Sequence, residues 1–473
     1  MIDHVIAHSS ATALGQLVQR RAVSSVELTT WCLEALETRG RALNAVAELM
    51  PDSALAQAAE ADAAIAAGRI RSPLHGVPYG AKDLFATAGI PTRWGSPLYR
   101  DQVFDYDATV IARLRTAGAI LVAKLAMVEL AGGGGYGDPG ASLHGPCRNP
   151  WNPERWAGGS SSGSGAAVGG GLVPFALGTE TWGSITVPSA FCNASGLRPT
   201  YGRVPRYGVM ALSWTMDKVG PLARSAEDCG HVLQAIAGHD PRDPTSALGL
   251  WTVRPDARDG RPLRVGILVH DYEAHHAPEA RARFRAALDV LHALGHRSDE
   301  AALPDFPYDL AAQTISMVES SATFEDVIRS PRAETMVDAA LRAELVAGLA
   351  ISGVTYLHAM RVRTLAAQGA VRVFAHVDAL IAPTLLQVAP PIDVIPAEGG
   401  RHAGGNGGFG NLLGWPSISI PMGMGRDDLP LGLEIIAAPF QEATVLALAM
   451  AFQSATDWHR RHPARDKQDA ETR

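Results

Sequence analysis

Residues 158 to 189 read GGSSSGSGAAVGGGLVPFALGTETWGSITVPS, and the fold is read outward from them. Two hydroxyl clusters, Ser160-Ser161-Ser162 and Thr179-Glu180-Thr181 with Ser184, flank a run suited to crossing a protein interior. Small residues dominate because backbone must pass close to backbone, and glycine permits turns that aim successive N–H groups at one point. Such a turn stabilises an oxyanion. The expectation is hydrolysis by a serine nucleophile.

The whole chain narrows the setting. Of 473 residues, 47% are hydrophobic and 19% charged, which provides a sizeable core. A net charge of -7 leaves no footprint for nucleic acid, and no Lys or Arg run suggests a membrane surface. A small neutral or mixed substrate fits better. MIDHVIAHSSATALGQLVQRRAV lacks a long apolar stretch behind basic residues, so the expected location is cytoplasmic. Cys32, Cys147, Cys192 and Cys229 are scattered without metal-ligand spacing, which points to buried reduced thiols, no disulfide framework and no metal.

Lysine is scarce: the 41 basic residues include only Lys82, Lys124, Lys218 and Lys467. Arginine carries nearly all the positive charge, so a lysine inside apolar HGVPYGAKDLFATAG invites a role for an amine that can lose its proton. The alternative for Lys82 is a buried ion pair, with Asp83 the nearest partner.

Along the chain, Ser24 and Glu27 form a capping box, and Pro51-Asp52-Ser53 opens an alanine-rich helix that stops at Gly68. His75 to Ala81 enters a sheet near Lys82. Arg113 to Gly118 ends a helix, and Ile120 to Ala123 is a short buried strand. AGGGGYGDPG at 131–140 lacks GK[ST] and reads as a loop bordering the site rather than a phosphate cradle. Gly202 to Gly220 is irregular, Arg224 to Gly238 a helix, and the polar stretch His239 to Pro262 the best boundary. Leu263 to Val269 is a strand, Pro278 to Leu294 a helix ended by Gly295, and 310–375 mostly helical. Ala379–Pro383, Ser417–Pro421 and Leu431–Ala437 are strands, followed by a helix from Glu442 to Thr456. Strands alternating with helices predict an α/β fold in α/β/α layers, with a large mixed sheet covered by helices.

Three serine schemes compete. Gly159 to Gly163 formally match GxSxG, but a nucleophile elbow needs a strand just before the serine. NPWNPERWAG, with prolines at 150 and 153, cannot be a central strand. The SxxK scheme fails because Tyr79, Leu121, Thr215 and Ala464 stand three residues before the lysines. A lysine acting through one serine on another remains.

Here GGSSSGSGAAVGGGLVPFALGTETWGS resembles the amidase signature family, as do GVPYGAKD, GLRPTYGRVPRYG, DKVGPLARSAEDC, DALIAPT, NLLGWPSISIPMG and LPLGLEIIAAPFQE. The pieces cover most of residues 20–455 in the expected order. The resemblance implies the amidase signature fold as one domain over 1–473: helices about 10–70, a catalytic core about 71–238, a C-terminal half about 263–456 and a frayed tail 459–473. It implies Lys82 as catalytic lysine, Ser160 as bridging serine after a cis peptide, and Ser184, 24 positions on, as nucleophile. Backbone N–H groups of Thr181, Trp182, Gly183 and Ser184 would form the oxyanion hole, supported by Ser162 and Thr179. No cofactor is implied. For this chemistry burial must lower the Lys82 pKa toward about 7 to 8.

Two departures bear on substrate. Trp182 replaces the family's usual glycine, and its ring either packs outward or lines a pocket for apolar or aryl groups. Thr186 and Val187 stand where many relatives carry an arginine, which argues against a carboxylate-bearing substrate. Met127, Leu130, Trp214 and Phe409 are pocket candidates, and Glu434 replaces a common glutamine. The expected activity is cleavage of small neutral, apolar or aryl amides, extending to carbamates and esters, by a monomer or homodimer. The alternative is an A-subunit-type glutamine amidase of a tRNA-dependent amidotransferase.

Overall fold

The small-residue stretch becomes a buried helix, Ser162–Gly169, followed by a central strand. A Cβ on Gly163 would lie 2.4 Å from the Ala45 carbonyl oxygen, and one on Gly169 2.1 Å from that of Cys192. The computed structural model describes residues 6–133, 137–249, 251, 261–268, 277–393 and 406–463.

In chain order the strands are β1 (Val46–Leu49), β2 (Pro78–Lys82), β3 (Ile120–Leu125), β4 (Arg148–Asn149), β5 (Asn152–Trp156), β6 (Phe175–Glu180), β7 (Ser195–Arg198), β8 (Lys218–Ala223), β9 (Arg264–Leu268), β10 (Arg297–Ala301), β11 (Ala379–Pro383), β12 (Ser417–Met424) and β13 (Pro430–Ile436). Among the described residues eleven of these strands form one sheet in the order β1-β3-β2-β6-β8-β7-β12-β13-β11-β9-β10. Its pairings are mixed: β2 runs parallel to β3 and β6, whereas β8 runs antiparallel to β6 and β7. Helices cover the sheet, giving the expected α/β architecture. β4 and β5 form a separate two-stranded sheet, and β5 also bridges to Pro391, so the segment before Ser160 lies outside the main sheet.

Many local expectations match. The Ser24–Glu27 capping box is formed, Pro51–Ala66 is helical, and Gly118 ends the helix Thr109–Ala117 with φ +88°. All four cysteines are buried and unpaired. The segment expected to be irregular to Gly220 is already strand from Lys218, because β8 extends its pairing to Glu180. β1 and β10 were not anticipated. β10 reads RSDEA, mostly exposed at the sheet edge, and is held by backbone pairing with β9 rather than by an apolar face. Parts of the 131–140 loop, the 239–262 connection and the tail lie outside the described residues. Among the described residues no single helix is long and apolar enough to cross a membrane.

Candidate active site

The parallel pairing of β2 with β6 sets Ala81 beside Leu177, which brings the end of β2 next to the end of β6. Lys82 closes β2 fully buried, and its Nζ donates to Ser160 Oγ at 2.7 Å and to Thr179 Oγ1 at 3.0 Å. Burial lowers its pKa to about 7, against the opposing pull of Asp217 and Glu180. Asp83 pairs instead with Lys124, at 3.3 Å.

Ser160 follows Gly158, at φ +84°, and a cis Gly159–Ser160 peptide bond. A Cβ on Gly158 would lie 2.9 Å from Pro188 Cα, so only glycine lets this turn approach the helix Thr186–Cys192. The Ser160 carbonyl accepts from Val128 N at 3.2 Å, and Ser161 N donates to the Ser184 carbonyl at 3.2 Å, joining the two serine clusters. Ser162 opens the helix behind Ser160. Ser184 is buried in the turn between β6 and Thr186–Cys192, where Gly183 takes φ +126°. Lys82, Ser160 and Thr179 thus meet directly, and Ser184 is tied in through Ser161.

Several residues at this turn carried no motif in the sequence. Thr181 Oγ1 donates to buried Asp217 at 2.6 Å, and Asp217 also accepts from Leu212 N and Ser213 N. Burial pushes the Asp217 carboxyl up from its ordinary range. Glu180 accepts from Arg198 Nη1 at 2.8 Å and Asn411 Nδ2 at 2.9 Å, and from Ile185 N and Thr186 N at 2.8 and 3.0 Å. Burial pushes Glu180 up, but Arg198 and these donors outweigh it and hold the carboxyl below its usual range. The sequence around them gives little signal, since Glu180 lies between Thr179 and Thr181 and Arg198 follows Ser195-Gly196-Leu197.

The departures also find places. Thr186 gives its hydroxyl to Glu180, and Val187 packs with Trp156 and Phe191. Glu434 is buried 3.7 Å from Arg198 and accepts from Asn406 Nδ2 at 3.1 Å, with burial raising its pKa. Half-buried Trp182 packs against the apolar cluster that holds Phe409, Tyr308 and Trp415. Met127 and Leu130 belong to a different cluster, and Trp214 stands 48% exposed. A cavity of about 10 Å³, room for about one water, is lined by Thr179, Thr181, Met210, Leu212, Asp217 and neighbours.

Comparison with known proteins first assigns this architecture to the amide-cleaving enzymes. Residues 27–446 match the sequence profile of the family described as Amidase. The A subunit of glutamyl-tRNA(Gln) amidotransferase from Geobacter metallireducens is 36% identical, over 93% of this chain and 96% of the relative. The solved peptide amidase of Stenotrophomonas maltophilia superposes with a TM-score of 0.84 at 31% identity, covering 97% and 99% of the two chains. A structure described as revealing the evolutionary origins of an s-triazine catabolic enzyme gives 0.87 at 30% identity, covering 94% and 98%. The chain belongs to the amidase signature family and carries its α/β fold. It is a hydrolase of C–N amide bonds.

Proposed function

We propose that the chain cleaves small amides through an acyl-enzyme on Ser184. The observation that carries this reading is the 2.7 Å hydrogen bond from buried Lys82 Nζ to Ser160 Oγ, made by an amine whose pKa lies near 7. A neutral Lys82 takes the proton of Ser160 as Ser160 takes that of Ser184, whose Oγ attacks the carbonyl carbon. Backbone N–H groups of Thr181, Trp182, Gly183 and Ser184 hold the oxyanion, each such donor being worth roughly 3 to 4 kcal/mol in hydrolases. Thr179 keeps Lys82 aimed, and Ser162 supports the bridging serine. The relay returns a proton to the leaving amine, and water then releases the acyl group. Carbamates and esters fit the same steps.

For the acyl group, apolar or aryl substrates are favoured by the Trp182 ring beside Phe409 and Tyr308, and by Thr186 and Val187, where the family resemblance implies an arginine that could hold a carboxylate. The relatives weigh toward a second reading, a glutamine amidase that works within a larger complex: the Geobacter metallireducens protein and others at 36% to 37% identity are named as amidotransferase A subunits. Hydrolysis by the purified chain alone separates the two, using anilides, aliphatic amides, aryl carbamates and glutamine with Ser184→Ala as control. Turnover of apolar substrates, reduced in Ser184→Ala by roughly ten-thousand-fold or more, supports the first. Glutamine turnover alone, or activity only with partner proteins, supports the second. Full activity in Ser184→Ala removes the serine mechanism.

A further inference from the structure

Glu180 lies four residues before Ser184 and is fully buried at the end of β6. Its Oε2 accepts from Ile185 N at 2.8 Å, Thr186 N at 3.0 Å and Thr186 Oγ1 at 3.2 Å. Its Oε1 accepts from Arg198 Nη1 at 2.8 Å and Asn411 Nδ2 at 2.9 Å. Residues 180 to 186 therefore close on themselves: the side chain of the first holds the backbone of the last two. The far oxygen anchors that closure outside the turn, because Arg198 Nε donates to the Trp415 carbonyl at 3.1 Å and Asn411 Nδ2 also donates to the Gly407 carbonyl at 2.9 Å. At the other end of the turn, Thr181 is pinned by Asp217.

We infer, resting on Ser184 as the nucleophile, that Glu180 is a positioning residue that fixes the turn carrying Ser184 and its N–H donors. Five donors converge on two oxygens, and only an ionised carboxylate accepts from all of them. Glutamine offers one acceptor oxygen and an amide group that would face other donors. Aspartate, one methylene shorter, cannot reach the turn and Arg198 together without moving backbone. Glu180 touches no reacting atom in this scheme. A displacement of the nucleophile by about 1 Å lowers turnover by about a hundredfold, and that is the effect Glu180 prevents.

The test compares wild type, Glu180→Gln and Ser184→Ala on whichever amide or carbamate the wild type turns over fastest. In Glu180→Gln, kcat is expected to fall about a hundredfold with KM within about threefold, and labelling of Ser184 by a fluorophosphonate slows in parallel. A folded Glu180→Gln chain with kcat within about threefold of wild type overturns the inference and leaves Ser184 standing. Activity in Ser184→Ala overturns the nucleophile assignment instead. Should Glu180→Gln fail to fold, Thr186→Val and Asn411→Ala each remove one side-chain donor, and each is expected to lower kcat about threefold to tenfold. Wild-type rates in both overturn the inference.

Discussion

Asp83 follows Lys82 in the chain yet forms its ion pair with Lys124, 3.3 Å away on the neighbouring strand. Lys124 Nζ also donates to the Phe85 carbonyl and Thr92 Oγ1, and Asp83 Oδ2 accepts from Arg93 N. Lys82 is thereby spared an adjacent counter-ion that would hold its proton, and spends its hydrogen bonds on hydroxyls.

Both members of that pair are fully buried, so removing one strands the other. Lys124→Met is expected to cost about 3 to 5 kcal/mol of stability. Adding Asp83→Leu should recover much of the loss, since an apolar pair of similar volume replaces an ion pair at little net cost. Urea unfolding of wild type, single and double variants measures this. A double variant as unstable as the single would show that the penalty is lost packing, not stranded charge.

The pKa of about 7 at Lys82 makes two claims about pH. In the proposed mechanism turnover needs the neutral amine, so kcat/KM should fall tenfold per pH unit below about 7. Stability follows from the same shift. The unfolded chain keeps the amine protonated up to about 10.5 and the folded chain only to about 7, so this group makes stability rise with pH between those values. Below about 7 its penalty is constant, at roughly 5 kcal/mol. Lys82→Met should be inactive and should gain stability over wild type by more at about pH 7 than at about pH 9.5. Lys124 and Lys218 are common to both chains and cancel. Equal differences at the two pH values would contradict the buried neutral amine.

How much the sequence disclosed follows from what each feature is made of. β11 and β12 were readable because they are runs of apolar residues between turn signals, whereas the charged β10 is held by backbone pairing that leaves no side-chain pattern. Lys82, Ser160 and Ser184 were named through the resemblance to the amidase signature family, and of these the structure sets Lys82 directly against Ser160. Lysine scarcity meant more than one residue's chemistry, since Lys82, Lys124 and Lys218 are all buried. Composition could not say which of them faces hydroxyls, which a carboxylate and which the Met216 carbonyl. Those partners depend on strand register. Asp217, Arg198 and Asn411 stayed hidden for the same reason, reaching the turn from beside β8, from β7 and from the helix Gly407–Leu412.

That helix also bears on Trp182. A Cβ on Gly407 would lie 2.4 Å from the Trp182 carbonyl oxygen and 2.8 Å from its ring Cδ1, and one on Gly408 3.1 Å from Cζ2. The indole therefore lies along a backbone that only glycine keeps open. Gly407→Ala should push on the turn from Thr181 to Ser184, the proposed oxyanion hole, and lower kcat about tenfold or more. Trp182→Gly removes the ring contact while leaving the carbonyl clash, so the double variant should stay slow. Trp182→Gly alone frees space beside Phe409 and Tyr308 and should shift the ranking across aryl and alkyl amides toward bulkier acyl groups. Steady-state rates on a matched series test both points. An unchanged ranking in Trp182→Gly would mean that the ring serves only to seat the helix against the turn, and that substrate size is set by other residues.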